Sequence, residues 1–203
     1  MVSPHASSTN PRVQRTRARI MAVARELLTD VGPMALTYSL LAERSGVTRQ
    51  TLYRHWPSRE ILLVDLVLSG EATDYPEPGA DPRAVVTGFL RSLRQGMEDP
   101  STGAALLTLA AEADGDPESA NVLAIITEDR RKALNALLEP AALQVTREEF
   151  ALLTGPVLFT RFISRQPVSD DAIDRIVAHW LDSGGSPKAD RARRTGKRTA
   201  GRS

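Results

Sequence analysis

Cysteine is absent from all 203 residues. That removes disulfides, iron–sulfur clusters, thiolate zinc sites and thiol nucleophiles together, and it fits a reducing compartment. Aromatic residues make up only 4% of the chain, and the three histidines (His5, His55 and His179) are scattered. No Gly-rich phosphate loop, HExxH or GxSxG occurs, so nothing supports an enzyme and no cofactor or metal is expected. Long apolar runs are lacking too. The longest, ILLVDLVL from Ile61 to Leu68, is interrupted by Asp65 and falls far short of the ~20 residues that span a bilayer. The start, MVSPHASSTNP, has no basic stretch followed by an apolar one, as a signal peptide would. These absences predict a soluble, cytoplasmic protein with no membrane partner.

Strand alternation is missing as well, and helical periodicity takes its place. In RIMAVARELLTDVG, Ile20, Ala24, Leu27, Leu28 and Val31 form one apolar stripe closed by Gly32. A short helix is predicted from Thr37 to about Ser45, a second from Thr48 to about His55, and a third behind Ser58, with Thr37, Thr48 and Ser58 as N-caps. The acidic, Pro- and Gly-rich stretch Glu71–Pro82 reads as a domain boundary or long loop. Beyond it, Asp81-Pro82, Asp99-Pro100 and Asp116-Pro117 each announce a helix, because Asp satisfies an orphan amide and Pro presets the helical φ. Two more helices are predicted over about 146–166 and 169–182. The tail from 183 onward has no large apolar residue and is expected to be disordered.

Charge is divided along the chain. Residues 1–60 carry a net +5, residues 61–182 a net −10 and residues 183–203 a net +6, within a total of +1. A basic head on an acidic body points to a polyanion partner for the head, or to no more than a solvated arginine surface.

The stretch SGVTRQTLYRHWPSRE, Ser45–Glu60, concentrates that charge beside a tyrosine and a tryptophan. Two short helices meeting at Gly46 have the form of a helix-turn-helix. Leu41, Val47 and Leu52 can point inward, and Ala42 lets the helices approach. Arg49, Gln50, Tyr53 and Arg54 then face out. Arginine to guanine and glutamine to adenine are the favoured bidentate pairs in a major groove. Trp56 is expected to seal the small core, while Tyr53 and His55 reach the sugar-phosphate backbone. Arg12, Arg15, Arg17 and Arg19 form either an arm along the duplex or a frayed start.

From Arg15 to about Leu68 the sequence resembles the DNA-binding domain of TetR-family (tetracycline-repressor-type) transcriptional regulators. The matching motifs are LTDVG, Thr37, LAERSGVT, RQTLYRHW and SRE.L. Departures are Arg59 for lysine, Trp56 for phenylalanine, Ser45 for alanine, Gln50 where glycine is frequent, and Leu40 at a usually polar position. The resemblance implies phosphate contacts at Thr37, Thr48, Tyr53, His55 and Arg59, and base contacts at Arg49, Gln50 and Thr51. It also implies a helical second domain that binds a small effector and dimerises through its last two helices.

The residues beyond the head bear on that domain. FALLTGPVLFTRFI is apolar around most of its circumference and should be buried on two sides; Gly155-Pro156 suggests a kink. The last helix has one stripe, Ile173, Ile176, Val177, Trp180 and Leu181. Phe150, Val157, Ile173, Ile176, Val177 and Trp180 are therefore candidates for a dimer seam, or for the core of a monomer. Asp65 and Arg130 fall in apolar sectors, facing a pocket or pairing at the core edge. With Phe89 and Phe159 they are the effector-binding candidates, for an apolar or amphipathic effector.

The expected architecture is all-α: a flexible arm (1–14), a three-helix helix-turn-helix domain (15–60), a helical effector-binding and dimerisation domain (61–182) and a basic tail (183–203). The expected function is a one-component regulator, a repressor that binds a palindromic operator in double-stranded DNA as a homodimer and is released by a small-molecule effector. The alternative is a helical interaction protein that uses its helix-turn-helix for protein contacts. The basic tail either adds sequence-independent phosphate contacts or keeps the chain soluble.

Overall fold

A computed structural model describes residues 11–33, 36–69 and 75–183. The first ten residues, part of the expected 71–82 loop and the basic tail from 184 lie outside the described residues. Among those described are nine α-helices and no strand: α1 (Pro11–Asp30), α2 (Tyr38–Ser45), α3 (Arg49–His55), α4 (Arg59–Leu68), α5 (Pro82–Gly96), α6 (Pro100–Glu112), α7 (Pro117–Leu137), α8 (Arg147–Leu158) and α9 (Asp170–Asp182). None is long and apolar enough to cross a membrane. The expected caps are in place. Thr37, Thr48 and Ser58 each accept from a backbone N–H three residues on, and Ser169, not foreseen as a cap, does the same for α9. Asp81, Asp99 and Asp116 accept from the first turns of α5, α6 and α7.

Two compact units divide the chain, residues 1–71 with 96–126, and residues 72–95 with 127–203. In the first, α1 buries Ile20, Ala24, Leu27 and Leu28. Val31 does not join the stripe and is 57% exposed. The helix ends at Asp30, and Gly32 at φ +89° turns the chain away. Leu41, Leu52 and Trp56 complete a small core with α1, while Leu40, Ala42 and Val47 pack partly buried at its margin. That packing accounts for an apolar residue at position 40. Gly46 has φ +67° and no atom within 4 Å of a built Cβ, so backbone conformation rather than space calls for glycine there.

The unit that holds the helix-turn-helix reaches beyond residue 60. In α4 every residue from Leu62 to Leu68 is buried, and the helix packs on α6, which also packs on α1. The buried residues in the first half of α6 are small, Ser101, Thr102, Gly103 and Ala105, which lets helices approach closely. Arg25 of α1 ties the three together. It donates to Asp99 at 2.8 Å, to Ser101 at 3.1 Å and to the carbonyl of Leu66 at 3.2 Å.

In the second unit α5 buries Val85, Val86, Phe89 and Leu90. Helix α8 opens on a capping box, Thr146 with Glu149, and packs on α9. Downstream of Pro156, residues Phe159–Ile163 form a π-helical turn in which Ser164 N–H reaches the carbonyl of Phe159 at 3.0 Å. Arg165 then ends the segment at φ +54°. A left-handed arginine costs about 1–2 kcal/mol, offset in part by the entropy a glycine would lose. Arg165→Gly is expected to raise unfolding free energy by about 0.5–1 kcal/mol in urea titration.

Candidate nucleic-acid interface

Helix α3 is held by three anchors. Thr48 caps its start, with Oγ1 accepting from the Thr51 N–H at 3.2 Å and meeting the Thr51 hydroxyl at 2.9 Å. Leu52 is fully buried beneath it, and Trp56 closes its end at 2% exposure. With the inner face fixed, Arg49, Gln50, Tyr53 and Arg54 stand exposed on the outer one. Among the described residues the Arg49 and Gln50 side chains have no hydrogen bond or ion pair, and both lie in the first turn of α3, where a docking helix meets base edges.

Around them the structure gathers hydroxyls and N–H donors. Thr37 and Thr48 are exposed caps at adjacent helix starts, and Thr51 is half-buried between them and the core. Tyr53 is 55% exposed, its ring 4.7 Å from that of Tyr38. Tyr38, which sequence reasoning passed over, shares its hydroxyl hydrogen between the carbonyls of Trp56 at 2.7 Å and Ser58 at 2.6 Å. Burial, with Glu60 next, drives its phenol far above the ordinary value, so it stays a donor. The only signal available was an aromatic one residue behind a helix cap. His55 is half-buried, and its imidazole is pushed below the ordinary value by burial, then by the charges of Arg17 and Arg54. A neutral ring of this kind offers a phosphate an N–H rather than a cation.

Two expected site residues lie elsewhere. Arg59 turns inward: its NH1 bonds both carboxylate oxygens of Glu112 at 3.0 and 3.1 Å, and its NH2 bonds the Pro33 carbonyl at 3.2 Å. The guanidinium therefore joins the start of α4 to the end of α6 instead of facing a phosphate. Asp65 is bound into the core of the first unit. It is 4% exposed, and its Oδ2 accepts from Trp56 Nε1 at 2.7 Å and from Arg17. Arg17 also lies 5.7 Å above the Trp56 ring, so it belongs to the core edge and not to an arm.

The remaining candidates fall in the second unit. Phe89 is buried at 1% and meets Phe150 edge-on at 6.1 Å, whereas Arg130 is half-buried and contacts Tyr75. Phe159 points outward at 58% exposure and is not brought to this cluster. Of the expected seam, Phe150, Val157, Ile173, Val177 and Trp180 are buried within the protomer and Ile176 is half-buried. Side chains already packed in one chain are not available to a partner. What α8 and its π-helical turn leave outside is another stripe: Leu152 at 73%, Phe159 at 58% and Ile163 at 67%, with Pro156 exposed between them.

Comparison with known proteins places these features in a family. Residues 20–66 match the profile described as bacterial regulatory proteins, tetR family. Residues 76–180, more than half of the chain, match the tetracyclin repressor-like C-terminal domain. The HTH-type transcriptional regulator YdeS of Bacillus subtilis is 34% identical over 80 residues, 38% of this chain and 40% of that protein. The first such relatives are thus matched over about two fifths of their length. The HTH-type transcriptional regulator Rv1556 of Mycobacterium tuberculosis is 26% identical over 172 residues, 78% of this chain and 82% of that protein. Among solved structures, the TetR family transcription regulator SCO0332 superposes with a TM-score of 0.64 at 29% identity, over 83% of this chain and 97% of that one.

Proposed function

We propose, for a chain that belongs to the TetR family of DNA-binding transcriptional regulators, that it is a cytoplasmic, effector-responsive repressor which reads a two-fold operator as a homodimer. Arg49 and Gln50 supply base contacts from the first turn of α3. Thr51 adds to the base-contact set from the same turn, and Thr37, Thr48, Tyr53 and His55 hold the duplex backbone. One observation carries the reading: both long base-reading side chains stand free on a helix whose other face is locked by Leu52 and Trp56. A helix so anchored presents donors without reorganising on binding, which lowers the entropic cost of docking.

The stripe of Leu152, Pro156, Phe159 and Ile163 supports the dimer. Exposed apolar side chains on one helical face are what a second copy would cover. Two reading heads related by a two-fold axis meet half-sites separated by ~34 Å of duplex. An effector that favours another disposition of the heads would release them.

Selection of bound sequences from a random duplex pool tests the reading; a palindrome is the expected result, and no enrichment would reject it. On a selected site, Arg49→Ala is expected to cost about 1–3 kcal/mol and to relax preference at one base position. Tyr53→Phe should weaken all sequences alike. Gel shifts at fixed salt measure both.

A further inference from the structure

The segment ahead of α5 bears on what the second unit binds, and the inference rests on the effector-responsive reading above. Tyr75 is half-buried. Its ring lies parallel to that of Phe89, with centroids 5.3 Å apart and planes 10° apart. Phe89 is enclosed and backed edge-on by Phe150. From α7, the NH1 of Arg130 donates to the Tyr75 hydroxyl, and its guanidinium carbon stands 5.8 Å from the ring centre. Two further contacts seat the segment. Gly79 N–H donates to the Leu137 carbonyl at 3.3 Å. Pro76 rests so closely on Gly88 that a Cβ there would lie 2.9 Å from the Pro76 Cβ. The chain has placed a flat ring on Phe89 and that ring's oxygen on a guanidinium.

We propose that Tyr75 fills the effector's place, and that the effector is an aromatic carboxylic acid. A free arene would reproduce the stack on Phe89. A carboxylate at the position of the phenol oxygen would exchange a neutral acceptor for a charged one, giving a shorter and stronger bond to Arg130. A cationic effector is disfavoured by the same guanidinium, and an aliphatic acid would leave the face of Phe89 without a stacking partner. Tyr75 precedes α5 by seven residues, so its ring can leave without unwinding a helix.

Isothermal titration of the full chain with 4-hydroxybenzoate tests this. Tyr75→Ala, by clearing the competing ring, is expected to bind it about ten-fold more tightly than the unaltered chain. Tyr75→Phe, which keeps the stack and gives up the hydroxyl, should gain about three-fold. In Tyr75→Ala the neutral 4-hydroxybenzyl alcohol should bind at least about ten-fold more weakly than the acid, and adding Arg130→Gln should cancel the gain for the acid. No gain in either Tyr75 variant, or a gain that survives Arg130→Gln, overturns the proposal. If Tyr75→Ala loses its helical circular dichroism, Tyr75→Phe decides. Release of a selected duplex is read separately by gel shift. Tight binding that leaves the duplex bound upholds the site and overturns the effector-responsive reading, whereas absence of binding overturns the site alone.

Discussion

Replacing Asp65 by alanine is expected to lower unfolding free energy by about 3 kcal/mol, a fall in Tm of roughly 6–12 °C for a chain of this size. The carboxylate is almost fully enclosed, and one of its oxygens serves both Arg17 and Trp56 Nε1. Alanine leaves the indole N–H without an acceptor and the guanidinium without an anion. Removing one member of a buried pair costs more than the pair contributes net, because the survivor stays desolvated. Arg17 keeps about a third of its side-chain surface in water, which holds the figure toward the low end of the range for such pairs.

The pattern across variants matters as much as the size. Asp65 Oδ1 has no partner among the described residues, so the carboxylate is only half used. Asp65→Asn retains an acceptor for one donor and should lose about half as much. Arg17→Met combined with Asp65→Leu removes both charges and should recover most of the loss. Equilibrium denaturation, followed by circular dichroism and by tryptophan fluorescence, checks each variant. A change below about 0.5 kcal/mol in Asp65→Ala, the size of an ordinary surface substitution, would show that the trio contributes nothing.

Phe159→Asp is expected to separate the dimer and to weaken operator binding on the order of 10²–10⁴-fold, the advantage a second tethered contact supplies. Phe159 stands in the middle of the exposed stripe, between Leu152 and Ile163. A carboxylate buried there on association would replace an apolar contact with a charge that has to be desolvated. Since the position is 58% exposed in one chain, the helix content and denaturation midpoint of the protomer should hardly move. Sedimentation at micromolar concentration reads assembly and gel shift reads operator affinity. A variant that still sediments as a dimer would place the seam on another face.

Much of the reading head was legible in the sequence because local chemistry determines it. Thr37, Thr48 and Ser58 are caps, Gly46 needs a left-handed backbone, and Leu41 and Leu52 follow from periodicity. Each signal acts within a few residues. What escaped depends on partners far along the chain. Arg59 pairs with Glu112, 53 positions away, so nothing beside it announced that the guanidinium turns inward. Asp65 stood out as a charge in an apolar helix, yet its use depended on an indole N–H and on Arg17, 48 positions earlier. The stripe on α8 escaped for the opposite reason. A helix apolar on nearly every side does not reveal which side its own protomer consumes, and the choice fell to the packing of α9. Val31 was misplaced by one turn of periodicity, since the helix stops at Asp30 before the stripe does.

The enclosure of α4 carries a consequence for how a signal could pass through the first unit. Seven successive residues of this rod are buried, and Arg25 and Arg59 fasten its two ends to α6. Interiors packed at crystal-like density do not yield by small degrees. A message arriving at this rod would have no half-measures open to it: it would either repack a whole layer or stop at its edge, which makes for a switch and not a dial.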